Sequence, residues 1–320
     1  MSTEDVGALP IVALTGGTGF IGRQLAPLLA AAGWRVRLLL RRDPVCPEWR
    51  GMNPQIVAGD LGDPAALAQL TSGVAAVVHV AGIIKATRKG QYFAVNHLGS
   101  VALAEATHRL APQAHFLHVS TIAAREPQLS DYAASKRAGE DAVLGILGTR
   151  ATVVRPPAVY GPGDRETLIF FQLAQRRLVP LLGSPAAVAA MIHIEDLARL
   201  LVAQLRETAR GSVLTAADER PAGYPWREVF ATAARATGNA QARLFHAPTA
   251  LLHAAALLGD VGKVLGSANM LNSQKLRELR HADWSVAAAD QARPAGWEPR
   301  YSLVDGFAQT VAWYRRAGWL

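Results

Sequence analysis

Cysteine is almost missing: Cys46 is the one thiol in 320 residues. A single thiol closes no disulfide within the chain and builds no Cys-based zinc cluster, so a reducing compartment is the simplest reading. Charge is sparse too, at 18% of residues against 50% hydrophobic, and no long polar or Gly/Ser-rich tract occurs. Disorder is thereby set aside, and the lack of a fixed-period repeat sets aside a solenoid. No run reaches the roughly 20 mostly apolar residues of a membrane span. Pro64–Ile84 is uncharged but interrupted by Gln69, Thr71, Ser72 and Gly73, and the apolar stretch Ala247–Gly259 is too short. The start Met1-Ser2-Thr3-Glu4-Asp5 is acidic with no apolar h-region, so no secretory signal is expected and the expected location is the cytosol. The net charge of +8 is dispersed rather than gathered in a basic arm. That argues against nucleic acid as a partner and leaves acidic small ligands or an anionic membrane surface open.

What is there alternates. Apolar, β-rich runs at Ile11–Thr15, Arg35–Leu40, Gln55–Ala58, Ala75–Val80, His115–Ser120 and Thr152–Arg155 are separated by Ala/Leu-rich helical patterns around Ile21–Ala32, Pro64–Leu70, Tyr92–Arg109 and Tyr132–Leu147. Strands apolar throughout and interleaved with helices predict a parallel sheet covered on both faces, an α/β doubly wound architecture. Past about residue 160 the alternation fades. Leu168–Leu178 reads as helix, Met191–Ile194 as a short strand, Glu195–Arg206 as helix, and Trp226–Thr237, Pro248–Leu258 and Leu303–Arg316 as further helices. The division expected is a main domain over 8–160 and a smaller, mostly helical substrate lobe over 161–320 that returns at least once to the main sheet.

The first strand runs directly into Thr15-Gly16-Gly17-Thr18-Gly19-Phe20-Ile21-Gly22. Either glycine spacing, G-x-G-x-x-G or G-x-x-G-x-x-G, is weak alone. Between a strand and a helix it has a mechanism: glycine permits the tight turn and close backbone approach, and the helix N-terminus offers unpaired N–H groups to a pyrophosphate. A Gly-rich turn with no ligand is the alternative. In that setting residues 8–160 read as a dinucleotide-binding Rossmann domain. About 20 residues on, where an acid would hold the ribose of NAD, stand Arg41-Arg42, with Asp43 only after them. A guanidinium pairs a 2′-phosphate and stacks on adenine, which favours NADP over NAD; an ordinary solvated loop start is the other reading.

Tyr132-Ala133-Ala134-Ser135-Lys136 sets a phenol and an ammonium at i and i+4 on one helical face. A cation there favours the phenolate and tunes tyrosine for acid/base work, although alone the spacing is common on exposed helix faces. Its company is His118-Val119-Ser120-Thr121 at a strand end, whose hydroxyls can hydrogen-bond a substrate oxygen.

Together these pieces resemble the short-chain dehydrogenase/reductase superfamily, in its extended branch. Further matching pieces follow in order: Gly59-Asp60-Leu61, His79-Val80-Ala81-Gly82, Val95-Asn96, Arg155-Pro156-Pro157-Ala158-Val159-Tyr160-Gly161-Pro162-Gly163, His193-Ile194-Glu195-Asp196-Leu197-Ala198, Ala295-Gly296-Trp297-Glu298-Pro299 and Leu303-Val304-Asp305-Gly306. The resemblance implies that Gly16, Gly19 and Gly22, with Thr18, Phe20 and Ile21 between them, line the pyrophosphate. It places Asp60 and Leu61 at the adenine, Ala81 and Gly82 beneath the middle of the cofactor, and Pro157 against the nicotinamide. Tyr132 would be the acid/base, Lys136 would hold the ribose and tune Tyr132, and Thr121 would stand where the family more often has serine. Ser120, Lys85 and Tyr160 would face substrate. Asn96 would bend its helix, unless it is a simple cap. Homodimerisation through the helices carrying Asn96 and Tyr132 is likewise implied.

His79, His115 and His118 have no carboxylate at ligand spacing and read as structural histidines; His193-Ile194-Glu195-Asp196 reads as a structural connection between lobes, and no metal is expected. Ile122-Ala123 follows Thr121 where nucleotide-sugar dehydratases carry an acidic pair, so dehydration lacks its acid and base. The short segment up to Tyr132 resembles dihydroflavonol-reductase-like or 3β-hydroxysteroid-dehydrogenase-like members. The implied reaction is NADP(H)-dependent interconversion of a secondary alcohol and a ketone on a small apolar substrate. A nucleotide-sugar epimerase and a redox-silent cofactor-binding subunit are the alternatives. Pro248–Leu258 is lobe core, pocket wall or membrane-facing patch, and Lys85, Arg88 and Lys89 either meet an acidic partner or are solvated charges.

Overall fold

The computed structural model describes residues 9–42, 46–181, 184–264 and 272–320. Strands β1 (Ile11–Thr15), β2 (Arg35–Leu40), β3 (Gln55–Ala58), β4 (Ala76–His79), β5 (His115–Val119) and β6 (Ala151–Arg155) alternate with helices α1 (Phe20–Ala31), α2 (Pro64–Thr71), α3 (Lys89–Phe93), α4 (Gly99–Leu110) and α5 (Asp131–Leu147). The chain goes on through β7 (Ala158–Tyr160), α6 (Leu168–Ala174), β8 (Leu178–Leu181), β9 (Val188–Ala189), β10 (Met191–His193), α7 (Ile194–Gln204), β11 (Ser212–Thr215), β12 (Tyr224–Pro225), α8 (Trp226–Ala236), β13 (Arg243–His246), α9 (Thr249–Val264), α10 (Ser273–Arg280), β14 (Asp283–Trp284) and α11 (Leu303–Arg316).

Seven strands form one sheet in the order β11-β6-β5-β4-β1-β2-β3, every pair parallel. Both faces are buried, which is why its strands are apolar at successive positions rather than alternate ones. On β1, Val12 and Leu14 point into a cluster with Leu25 and Leu29 of α1 and Leu197 and Leu201 of α7, whereas Ala13 faces the opposite cluster of Leu67, Leu70, Leu103 and Val143. A third cluster, around Phe171, Phe230, Phe307 and Tyr314, is the core of the C-terminal lobe. The lobe returns to the main sheet through β11, which pairs with β6, and through α7, which packs on α1. Strand order reverses between β1 and β4, and at such a switch point the loops leaving the carboxyl ends of the strands part to form a crevice.

Two local expectations are corrected. The helix read over Leu168–Leu178 stops at Ala174, and Leu178 opens β8, because Leu178–Leu181 pairs with Arg243–His246, a partner far along the chain that no local pattern reveals. The lobe is mostly helical, as expected, with short strands between its helices. The single helix read over Tyr92–Arg109 is interrupted by a π-helical segment, Ala94–Leu98. There the buried Asn96 side chain accepts from the Ile83 N–H at 2.8 Å and donates to the Ile83 carbonyl at 3.0 Å and to Ser135 Oγ at 3.0 Å. Wider helical turns of this kind occur where a side chain must be presented rather than merely packed.

Candidate active site

The glycine loop leaves β1 at the crevice. Gly16 has φ +72°, and a Cβ there would lie 2.6 Å from the Ala81 amide nitrogen. Only glycine therefore lets the β1 and β4 loops approach this closely. The Gly19 N–H donates to Gly16 O at 3.0 Å, and Gly19 then caps α1 without any side chain. A Cβ on Gly22 would collide with the backbone of Gly16 and Gly17. The first turn of α1 holds no acidic residue, and the N–H groups of Phe20, Ile21 and Gly22 lie in the turn that has no intrahelical acceptor. Thr18 and Gly19 are exposed at its mouth. The cradle is open, free of side-chain bulk and set at the positive dipole end of α1, so the residues present fit a pyrophosphate.

The other expected cofactor positions stand around the same edge. Arg41 and Arg42 follow β2 and are exposed, while Asp43 lies outside the described residues. Asp60 follows β3 and accepts from the Gly62 N–H at 2.8 Å, and Leu61 packs over Gly99. Ala81 and Gly82 follow β4, and a Cβ on Gly82 would sit 3.0 Å from Asn96 Oδ1 and 3.9 Å from Lys136 Nζ. Pro157, buried, follows β6. The crevice thus brings together residues that the sequence spreads over some 140 positions.

Beyond it lie Ser120, Thr121, Tyr132 and Lys136. Ser130 caps α5 by accepting from the Ala133 N–H at 3.0 Å. Glu140, one turn past Lys136 and 1% exposed, pairs with Arg155 at the end of β6, whose Nε donates to Oε1 at 2.9 Å; this ties α5 to the sheet. Lys136 is itself buried and donates from Nζ to the Val119 carbonyl at 2.8 Å. Burial pushes its ammonium down to about 8, with Glu140 opposing. Burial holds the Tyr132 phenol well above its usual range, with its contact to Thr121 opposing. At neutral pH Tyr132 is therefore a protonated phenol, and Lys136, one turn on along α5, is mostly a cation. Thr121 Oγ also accepts from the Ala123 N–H at 3.3 Å, and Ser120 Oγ is buried with no partner among the described residues, a hydroxyl with hydrogen bonds still to make.

A buried polar chain runs beneath the crevice. The Ala81 N–H donates to Thr15 Oγ1 at 3.2 Å, Thr15 Oγ1 meets His79 Nδ1 at 2.7 Å, His79 Nε2 meets Ser100 Oγ at 2.9 Å, and Ser100 donates to Asn96 O at 2.8 Å. Because the Ser100 proton is committed to Asn96, the His79 proton resides on Nε2 and Nδ1 accepts from Thr15. Burial first, and the neighbouring Lys136 second, push His79 down to about 3, so this ring is neutral. His118, 5.1 Å away between ring centres, is neutral for the same reasons.

Two residues expected to face substrate are engaged elsewhere. Tyr160 is fully buried in the lobe core, edge-on to Phe307 at 4.9 Å and to His193 at 5.5 Å, because α11 brings Gly306 against its ring; it forms no part of a substrate wall. Lys85 is paired with Glu166 at 2.8 Å, bridging the loop after β4 to the C-terminal lobe. His193 stacks on Tyr301 at 3.9 Å, and Asp196 accepts from the Arg300 and Tyr301 N–H groups at 3.0 Å and from Arg199 at 2.7 Å, which accounts for that segment structurally. Among the described residues, no group of three or more His, Cys, Asp or Glu is placed to hold a metal.

Reasoning from sequence missed Glu278 of α10. Buried beside the site, it accepts from the Ser130 hydroxyl and pairs with Lys275 at 2.9 Å, and its charge adds to the upward push on Tyr132. The capping serine Ser130, directly ahead of Asp131, was readable from the rule that serine precedes a first helical turn; its partner, 148 residues away, was not.

Comparison with known proteins agrees with this geometry. A family model described as NAD dependent epimerase/dehydratase family matches residues 12–217. A curated relative, the ceramide reductase of Caulobacter vibrioides, is 47% identical over 322 residues, covering 100% of this chain and 98% of that protein. The 2-alkyl-3-oxoalkanoate reductase of Stenotrophomonas maltophilia is 29% identical over 177 residues, 48% of this chain and 52% of its own. Among solved structures, MoeE5 in complex with UDP-glucuronic acid and NAD superposes at TM-score 0.70 with 21% identity, over 96% of this chain and 99% of that one, a likeness of fold.

Proposed function

The chain belongs to the NAD-dependent epimerase/dehydratase family and is an NAD(P)-dependent enzyme of the extended short-chain dehydrogenase/reductase type; from that premise we propose that it is an NADPH-dependent ketone reductase acting on a long-chain lipid. The observation that carries the substrate class is the full-length similarity to a ceramide reductase. A ceramide is an N-acyl amino alcohol with a secondary hydroxyl, and the oxidised counterpart of that hydroxyl is a ketone. The Arg41-Arg42 pair, exposed past β2, supports NADPH over NADH through its match to a 2′-phosphate.

The bound nicotinamide would supply hydride to the carbonyl carbon. The residues of the chain attend to the oxygen. Tyr132, kept as a phenol by burial, holds the proton that the oxygen takes up as its charge develops. Thr121 donates a hydrogen bond to the same oxygen, and the unsatisfied hydroxyl of Ser120 orients the neighbouring polar group of the substrate. Lys136 favours loss of the Tyr132 proton at the moment of transfer and faces the ribose side near Gly82. The proton is then replaced from solvent, so one ketone, one hydride and one proton yield one secondary alcohol. Ile122 and Ala123, buried in the apolar core beside Thr121, leave dehydration without its acidic pair.

The test is direct. Purified protein titrated with NADPH and NADH in parallel, by nicotinamide fluorescence, should bind NADPH more tightly. With an N-acyl amino ketone dispersed in detergent, NADPH should be consumed as the secondary alcohol appears by mass spectrometry. Preference for NADH, together with inversion of a nucleotide sugar and no reduction of the lipid ketone, would falsify the proposal.

A further inference from the structure

The remaining surface feature of note is α9. Its buried side is narrow: Leu252 and Ala256, one turn apart, pack on Leu276 of α10. The opposite side is apolar as well, yet it faces solvent. Leu251, Ala254 and Leu258, spaced i, i+3 and i+7, form one exposed stripe joined by Leu257, with Leu251 63%, Leu257 61% and Leu258 74% exposed. An exposed stripe of leucines of this kind is expected to lie against a second apolar phase.

Next to this stripe is a cleft of about 580 Å³ lined by His253 of α9 and by Arg277, Arg280 and His281 at the end of α10, with Leu129, Leu276, Ser273 and Ala282 completing it. His253 lies one turn before Leu257, so the cationic cleft and the leucine stripe share a border. Among the described residues, no carboxylate lines the cleft. The acids near it have partners: Asp260 accepts from Ser273, Glu278 accepts from Ser130 and pairs with Lys275, Asp283 accepts from the Ser285 N–H and is drawn to His281, and Glu126 lies 4.0 Å from His281. Among the described residues Arg280 reaches only Thr249 Oγ1, at 3.3 Å, which leaves most of its guanidinium donors for a ligand.

We propose that the α9–α10 face is a docking surface for an anionic phospholipid bilayer, with the leucine stripe entering the acyl boundary and the arginine–histidine cleft receiving lipid phosphate. Apolar burial together with attraction to anionic headgroups is the combination by which interfacial helices bind membranes. The position suits delivery of a lipid substrate, since α10 also contacts the segment before Tyr132 through Arg277 Nε to Leu129 O at 2.9 Å and Gln274 to Asp131 at 2.7 Å. In this respect the inference rests on the lipid reading above, but its test does not.

The full-length protein is sedimented with vesicles of phosphatidylcholine alone or mixed with phosphatidylglycerol, without cofactor or substrate. Binding is expected only to the anionic vesicles and should weaken as salt rises. Leu251→Gln/Leu258→Gln and, separately, Arg280→Gln should each reduce the bound fraction about tenfold, with NADPH affinity and turnover of a detergent-dispersed ketone unchanged. Equal binding to both vesicle types, binding to neither, or a self-association at micromolar concentration abolished by the leucine variant without vesicle binding would each overturn the proposal, the last in favour of a second copy of the chain. If vesicle binding holds while lipid ketones are not reduced, the substrate reading fails and the docking surface stands.

Discussion

Lys136 Nζ donates to the main-chain carbonyl of Val119 at 2.8 Å, so this cation is aimed by β5 and not by another charge. An ammonium held by a neutral acceptor in a buried position gains little against desolvation, which is why it is pushed down to about 8. Glu140 is close enough to oppose this but is itself committed to Arg155.

That relationship sets a pH limit. As pH rises through about 8, Lys136 in the free enzyme loses its charge, and both cofactor affinity and the tuning of Tyr132 should fall with it. The pH profile of kcat/KM is therefore expected to bend downward near that value, and Lys136→Arg, which does not titrate in this range, should be slower but lack the bend. The stability consequence has the opposite sign. The unfolded chain binds the lysine proton up to a higher pH than the native chain, so the destabilising contribution of Lys136 is present at pH 7 and fades as pH rises through 8. The Tm advantage of Lys136→Met over wild type should shrink accordingly.

Tyr132→Phe removes one oxygen atom and leaves the ring and helix in place. Loss of general acid catalysis typically costs about 10²–10⁴-fold, and kcat is expected to drop by that order. NADPH binding by fluorescence should stay within about twofold, because the phenol transfers a proton and does not anchor the dinucleotide. A variant that turns over at the wild-type rate would remove Tyr132 from the mechanism.

Cofactor choice is tested at the end of β2. Charge-assisted hydrogen bonds contribute about 1.5–3 kcal/mol each, so Arg41→Ala/Arg42→Ala should weaken NADPH binding by roughly two to four orders of magnitude while NADH binding changes little. Equal loss for both dinucleotides would reduce the pair to general electrostatics, and no loss would leave them as solvated charges.

Much of this site is legible in the sequence for a physical reason. Parallel strands buried on both faces, such as Val12-Ala13-Leu14, leave continuous apolar runs, and the glycines between them are forced by backbone approach, as at Gly16 against Ala81. Tyr132 and Lys136 share a face because helical spacing is local. What escaped depends on partners distant in the chain. Leu178–Leu181 pairs with a strand beginning at Arg243, Val188–Ala189 and Asp283–Trp284 are too short to show alternation, and Tyr160 is drawn into the core by Gly306. Glu278 reaches the α5 cap only through the tertiary docking of α10.

His79 joins the two loops that enclose the crevice, and its removal separates two effects. His79→Leu would strand Thr15 Oγ1 and Ser100 Oγ, both fully buried, without their ring partner. Thr15 would keep only the Ala81 N–H it accepts and Ser100 only its bond to the Asn96 carbonyl; each partner lost at a buried hydroxyl costs about 1–3 kcal/mol, so global stability should fall by about 2–6 kcal/mol, with a clear drop in Tm. If the ring were only filling space, cofactor affinity would follow stability and recover on cooling. The hydrogen-bond chain, however, runs from the Ala81 amide, against the glycine loop, to the carbonyl of Asn96, whose amide in turn holds Ile83 and Ser135. Loosening that chain should raise the NADPH Kd at temperatures where the variant is fully folded, measured by fluorescence well below its Tm. His79→Gln, which can still accept from Thr15 and donate toward Ser100, should recover part of both losses. Unchanged Kd in a folded His79→Leu protein would restrict the histidine to packing.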